Sequence, residues 1–293
     1  IIRLKKVSLK DENLYFIGGV VRDEMLGIPS LDTDYCYEGD AIEFAKQKGL
    51  NILRENPAFG TVRVLFEDKE IDIASTREEF YPQKGHLPVV SNIGCALKDD
   101  LKRRDFTINA MAKRTTDGEV IDIFSGKEDI KAKKIRVLHN ESFIDDPTRI
   151  LRALKFSLRF GFTLDESTAR FQEEYLKNIN YDMSYHRLKK ELVETFNLNS
   201  QEAYERFTSE GIYKLLGKFV HLPECHPDFM NLNYSGRHIW LIYLSFFNLD
   251  NLELTRAEKR IIEWAERLKT EKQTNNTPIE SIIINEIYKE AVS

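Results

Sequence analysis

Leu14-Tyr15-Phe16-Ile17-Gly18-Gly19-Val20-Val21-Arg22-Asp23, followed by Leu31-Asp32-Thr33-Asp34-Tyr35-Cys36-Tyr37, decides how this chain is read. Leu14 to Gly18 reads as a strand, the two glycines as a tight turn, Val20 to Leu26 as a short helix, and Leu31 to Tyr37 as a second strand. Successive side chains of a strand point to opposite faces, so Asp32 and Asp34 project together and Thr33 points away. Two convergent carboxylates make a hard oxygen site suited to Mg²⁺. The glycine turn leads into a helix N-terminus, whose free N–H groups can hold a phosphate, and Arg22 adds a cation nearby. Metal-binding carboxylates beside a phosphate cradle point to nucleotidyl transfer. Either half alone is also compatible with a plain turn or an exposed strand end. The specificity lies in their spacing.

The chain has 293 residues, enough for two or more domains with real cores. Its formal net charge of −5 gives no global basic signature, so contacts to nucleic acid must come from local clusters. Cys36, Cys95 and Cys225 are widely separated and show neither metal spacing nor a disulfide framework, which fits a reducing cytoplasm. No apolar run is long enough to span a bilayer, and no signal peptide is visible. The chain begins at Ile1 rather than Met, so further N-terminal residues are expected.

Short β-like and helical runs alternate over the first part. Candidate strands are 14–18, 31–37, 61–66, 70–75, 120–124 and 135–138; candidate helices are 20–27, 40–49 and 106–112. Beyond about Ser142 the pattern is helical, with apolar residues recurring at three and four through Ile150-Leu151-Leu154-Leu158 and again from Leu188 to Phe196. Leu222 to Ser235 reads as a loop, and Gln273 to Pro278 as a break before a last amphipathic helix. In Glu70-Ile71-Asp72-Ile73-Ala74 the apolar residues alternate with Asp72. If that strand lies beside the one bearing Asp32 and Asp34, Asp72 faces the same site as a third ligand or as the base for an attacking 3′-hydroxyl. Otherwise it is a solvent-facing Asp.

Three further segments carry a resemblance: Arg103-Arg104-Asp105-Phe106-Thr107-Ile108-Asn109-Ala110-Met111-Ala112, then Asp145-Asp146-Pro147-Thr148-Arg149, then Ile150-Leu151-Arg152-Ala153-Leu154-Lys155-Phe156. With GGVVRD and LDTDY they resemble, in order from about Tyr15 to Glu191, the class II tRNA nucleotidyltransferases and bacterial poly(A) polymerases. The resemblance implies an α+β fold: a polymerase-β-like nucleotidyltransferase head (1–138), a helical neck for base recognition (139–200) and a helical body with a partial tail (201–293). It implies template-independent, Mg²⁺-dependent addition of C and A to the tRNA 3′ end from CTP and ATP, with poly(A) synthesis or a chemically lapsed RNA-binding protein as alternatives. Asp32 and Asp34 resemble the Mg²⁺ ligands, and Asp72 a supporting acid. Gly18, Gly19 and Arg22 resemble the triphosphate turn, Arg104 the residue that meets the sugar, and Asp105 and Asn109 the walls of that pocket. Asp146, Arg149, Arg152 and Lys155 resemble the nucleotide-binding face of the neck helix.

That last group also has a physical reading. Asp146-Pro147 reads as a helix start, and Asp146 and Arg149, three apart, are neighbours on one face. An ionised Asp only accepts hydrogen bonds and Arg only donates. Cytosine and adenine each offer an amino donor beside a ring acceptor and match the pair. Uracil and guanine present the reverse and leave both groups unpaired, at roughly 1–3 kcal/mol each. The family's usual Glu-Asp is here Asp145-Asp146, and Lys155 stands where relatives carry Arg, which keeps charge but loses the planar fork. Arg187, with Glu191, is read as a brace for the base-reading pair. Tyr81 to Asp100 reads as a long connection whose sequence YPQKGHLP is similar to branches that divide CC and A addition. The basic runs at Lys131 to Lys134 and Lys189-Lys190 read as solvated faces or phosphate contacts, and the tail as short or truncated. His221 and His226, flanking Cys225, read as loop residues. Oligomeric state is not legible.

Overall fold

The computed structural model describes residues 8–30, 33–198, 200–224, 227–229 and 232–292. The expected strand start at Leu31, the expected metal ligand Asp32, and the loop residues Cys225 and His226 lie outside the described residues. The chain divides into two compact units. The first takes Ile1–Gln83, Leu87–Ser142 and Thr163–Thr168; the second takes Lys84–His86, Phe143–Phe162 and Ala169–Ser293.

In the first unit the order is β1 (Leu14–Ile17), α1 (Gly19–Met25), β2 (Asp34–Tyr37), α2 (Ala41–Gln47), β3 (Asn51–Asn56), a 3-10 turn Pro57–Phe59, β4 (Thr61–Phe66), β5 (Lys69–Ser75), β6 (Arg77–Phe80), β7 (Val89–Ile93), α3 (Leu97–Lys102), a 3-10 turn Thr107–Asn109, β8 (Met111–Arg114), β9 (Val120–Asp122), α4 (Gly126–Ala132) and β10 (Lys134–Ile135). A seven-stranded sheet runs β3-β4-β5-β2-β1-β8-β9. Its β2–β5 pair is parallel and its other pairs antiparallel. One face buries Leu14, Val62, Val64 and Ile73 against Ala41 and Phe44 of α2. The other buries Tyr15, Ile17, Cys36 and Ala112 against Leu97 and Leu101 of α3. The alternation in Thr61-Val62-Arg63-Val64 delivers this directly: the valines are buried while Arg63 stays exposed.

Three readings are corrected. Residues 106–112 are not a helix: Ala110, Met111 and Ala112 are fully buried, and β8 pairs on both sides, with β1 and β9, so a central-strand position overrides the helix preference of Ala and Met. Residues 81–100 are not one loop, because Val89–Ile93 pairs with Arg77–Phe80 and Leu97 opens α3. The sheet also has an edge strand, β3, whose sequence NILREN lacks the alternation that marks a half-buried strand.

Onward the chain is almost wholly helical: α5 (Ser142–Asp145), α6 (Thr148–Phe160), a short strand β11 (Thr163–Leu164) that pairs with β10 within the first unit, α7 (Glu166–Lys177), α8 (Tyr185–Phe196), α9 (Ser200–Ser209), a 3-10 turn Ile212–Leu216, α10 (Ile239–Leu244), α11 (Arg256–Arg267) and α12 (Ile279–Val292). In the second unit α6 buries Ile150, Leu151 and Leu154, as the spacing of three and four requires, and stops at Gly161, whose φ of 65° is cheap only for glycine. Phe196, Phe207 and Phe247 meet edge to face in its aromatic core. Lys189 is not a solvated cation: it pairs with Glu258 at 2.6 Å, which also closes the Thr255 capping box of α11. No helix among the described residues is long and apolar enough to cross a membrane.

Candidate active site

The parallel register of β2 and β5 sets Asp34 opposite Asp72. Opposed residues of a ladder share a face, so the condition attached to Asp72 in the sequence is met: its strand does lie beside that of Asp34. The row continues outward. Arg63 of β4 pairs with Asp72, and Arg54 of β3 pairs with Arg63. Asp34, Asp72, Arg63 and Arg54 thus form one rank of charges across four strands. All four line a cavity of about 440 Å³ whose wall also holds Arg103 and Arg104.

Asp72 is held. Arg63 grips it through both oxygens, Nε to Oδ1 at 2.8 Å and Nη2 to Oδ2 at 2.7 Å, a bidentate geometry that fixes the carboxylate plane. Acting as a base requires that pair to open. Among the described residues no three His, Cys, Asp or Glu side chains gather as a metal cluster. Asp34 offers a hard oxygen group of the type that suits Mg²⁺, and Asp72, held by Arg63, stands in register beside it.

The glycine turn is built for close approach. Gly18 has φ 68° and caps α1 without a side chain, and a Cβ there would meet Arg104 Nη1 at 2.8 Å. Arg104 therefore lies directly over the turn. Arg22, read as a cation beside the turn, is 4% exposed. Its Nε and Nη2 donate to Asp23 Oδ1 at 2.8 and 2.6 Å, and its Nη1 to Asn109 Oδ1 at 2.5 Å. Asn109 Nδ2 in turn donates to Asp105 Oδ1 at 2.9 Å, which also accepts from the Phe106 amide. Asp23, Arg22, Asn109 and Asp105 form a buried relay that ties α1 to the turn before β8. Asp105 and Asn109 support the pocket from beneath.

Asp100 was not singled out in the sequence and is the hub of the cationic wall. Its side chain is fully buried. It accepts from Arg103 Nη2 at 2.7 Å, Arg104 Nη2 at 3.0 Å and the Arg77 amide at 3.1 Å. Burial works to raise its carboxyl, but the Arg104 and Arg103 guanidinium groups outweigh it and hold the group below the usual carboxylate range. Asp100 reads as one more polar residue of a helix start; only the pairing of its side chain with two arginines three and four residues on signals it. Arg104 Nε is buried with no hydrogen-bond partner among the described residues, a donor in the cavity wall.

The second unit assembles the other predicted group. Asp146 is 4% exposed. Its Oδ1 accepts from the Thr148 amide and hydroxyl at 3.1 and 2.6 Å, so it does cap the start of α6. Its Oδ2 accepts from Arg187 Nη2 at 2.5 Å, the bracing contact read for Arg187. Arg149 is buried in the first turn of α6, its amide bonded to the Asp146 carbonyl at 3.1 Å. One to two turns on, Arg152 and Lys155 both reach Glu191 of α8, at 3.2 and 2.6 Å, and Lys155 also reaches Glu194 at 2.6 Å. Asp145 pairs with Lys84.

Residues 14–136 match the family described as Poly A polymerase head domain. The chain is 46% identical over 167 residues to the A-adding tRNA nucleotidyltransferase of Aquifex aeolicus, a match covering 55% of this chain and 20% of that protein. It is 32% identical over 214 residues to the CCA-adding enzyme of Latilactobacillus sakei, covering 72% and 53%. A solved structure of the Thermotoga maritima CCA-adding enzyme complexed with tRNA CCA superposes with a TM-score of 0.73 at 27% identity, over 95% of this chain and 77% of that one. The chain thus spans between a fifth and about half of the length of these curated relatives.

Proposed function

We infer, from a chain whose residues 14–136 match the Poly A polymerase head domain and whose resemblance to solved tRNA nucleotidyltransferase structures extends over both units, that this protein adds nucleotides to the 3′ end of tRNA without a nucleic-acid template. The observation that carries the reading is the Asp34–Asp72 register pair, sharing one cavity with Arg104, which leans over the Gly18–Gly19 turn. In this reading Asp34, with Asp32, holds Mg²⁺, which when bound supplies charge neutralisation to the attacking and leaving oxygens. The turn and Arg104 hold the triphosphate and sugar. Asp72, once released by Arg63, accepts the proton of the attacking 3′-hydroxyl. Arg22, Asp105 and Asn109 keep the turn in place. Asp146 and Arg149 select C and A by presenting an acceptor beside donors, with Arg187 fixing Asp146. Arg152 and Lys155, held by Glu191, line the same helix face.

Of the two activities borne by the relatives, addition of the terminal A is favoured, since identity is higher to the A-adding protein than to the CCA-adding one. The test offers CTP, ATP, UTP and GTP with Mg²⁺ to tRNAs ending at the discriminator base, at C and at CC. A single A added only to CC ends is the expected result. Completion of CCA from the discriminator base identifies the full activity, and long A tails on any RNA a poly(A) polymerase. Asp34→Asn, an exposed change, is expected to reduce incorporation by at least 10³-fold with folding intact; full activity in that variant overturns the metal assignment.

A further inference from the structure

The rank of charges extends past the carboxylates, and its last member, Arg54, has no role in the chemistry above. Arg54 and Arg63 sit directly opposite each other on β3 and β4. Like charges in that position destabilise a sheet. The arrangement is also produced deliberately. Ile52 faces Val64, so an unbroken ladder would set Leu53 opposite Arg63; instead the register shifts between Ile52 and Arg54, and Arg54 takes that place. A bulge of this kind re-aims a side chain, and bulges gather beside active sites. Here it turns an arginine into the cavity that holds Asp34 and Asp72. Arg63 is occupied by Asp72 and lies 3.7 Å from Glu70. Arg54 is exposed, and its side chain makes no hydrogen bond or ion pair among the described residues. Two adjacent guanidinium groups, one of them uncompensated among the described residues, call for an anion.

We propose that Arg54 and Arg63 dock backbone phosphates of the RNA strand that carries the attacking 3′-hydroxyl. This rests on the polymerising function argued above. With strands about 4.8 Å apart, Arg63 and Arg54 stand roughly 10 and 14 Å from Asp34 along the rank. At a rise of about 3.4 Å per nucleotide in a stacked strand, that span covers the last three or four nucleotides. The incoming triphosphate has its own cradle on the opposite side of the carboxylates, at Gly18, Gly19 and Arg104. Arginine suits the outer site because its fork meets phosphate oxygens in pairs.

The experiment measures binding of a labelled single-stranded RNA ending in CC by fluorescence anisotropy across a salt series, and separately KM for that RNA and for ATP. Arg54→Ala is expected to weaken RNA binding about 5–10-fold and to reduce the log–log salt slope by about 0.7 per lost phosphate contact. Adding Arg63→Ala deepens both effects. Arg54→Lys keeps the salt slope and part of the affinity, since the charge stays while the paired fork is lost. The KM for ATP stays within twofold in Arg54→Ala. An unchanged RNA affinity and slope in Arg54→Ala overturns the proposal, as does a rise confined to the KM for ATP, which assigns the arginines to the triphosphate. A wild-type chain that binds no single-stranded RNA overturns it as well. If the wild type binds RNA in an Arg54-dependent way but incorporates no nucleotide, the polymerising function fails and the docking site stands.

Discussion

Asp146 is a carboxylate that leaves water almost completely and whose oxygens accept from Thr148 and Arg187. Removing one partner of a buried ion pair is costly because the other is left uncompensated. Arg187→Ala takes the 2.5 Å contact from Asp146 Oδ2 and is expected to destabilise the fold by about 3 kcal/mol. It is also expected to raise incorporation of UTP and GTP relative to ATP, since an unbraced Asp146 no longer sits squarely beside Arg149. Nucleotide competition assays together with urea unfolding check both effects; unchanged discrimination in a destabilised variant would reduce Arg187 to a structural contact. The residue scale was unevenly legible. Asp146 stood out because an Asp before Pro, three from an Arg, has a chemical meaning in one dimension. Arg22 was only partly legible, because a cation beside a glycine turn looks the same in sequence whether it faces solvent or, as here, Asp23 and Asn109. Asp100 was not visible, as its importance lies in what surrounds it in three dimensions.

At the scale of elements, the β1–α1 turn depends on one missing atom. Gly18→Ala forces a left-handed φ on a residue with a Cβ, at roughly 1–2 kcal/mol, and drives that Cβ to 2.8 Å from Arg104 Nη1. The expected outcome is a lowered thermal midpoint and a KM for nucleotide raised at least tenfold, because Arg104 must move off the turn. Thermal melts with and without ATP separate the two, and a variant that loses stability but keeps its KM disconnects the turn from nucleotide binding. Strands with a strict period of two, such as Thr61–Phe66, could be read from sequence to the residue. The polar edge strand β3 could not, since an edge has little to bury, and β8 was mistaken for a helix because pairing on both sides, not propensity, decides it. The parallel neighbourhood of β2 and β5 could be stated only as a condition, because strand order is a long-range property.

At the scale of the molecule, the division into two compact units is expected to give unfolding that a single two-state transition does not describe. Asp100 marks the first. Its folded-state value lies below the ordinary 3.8, so its contribution to stability is fully present above that pH and is lost as pH falls through the lower folded value. Asp100→Asn is expected to lower one calorimetric transition at pH 7 and to make that transition less steeply dependent on pH below 4. Leu188→Ala, in the core of the second unit, is expected to lower the other by about 2–5 kcal/mol without touching the acid dependence of the first. A single transition that moves in both variants contradicts the division.

The rank Asp34, Asp72, Arg63, Arg54 has two anions at one end and two cations at the other. Such a row is a dipole laid across the sheet, and a nucleic-acid strand is itself directional. A strand arriving with its hydroxyl end at the carboxylates sets its phosphates over the arginines. A strand arriving backwards sets a phosphate against two carboxylates and is repelled. On the docking proposed above, the sheet would tell the two ends of an RNA chain apart before any base is read.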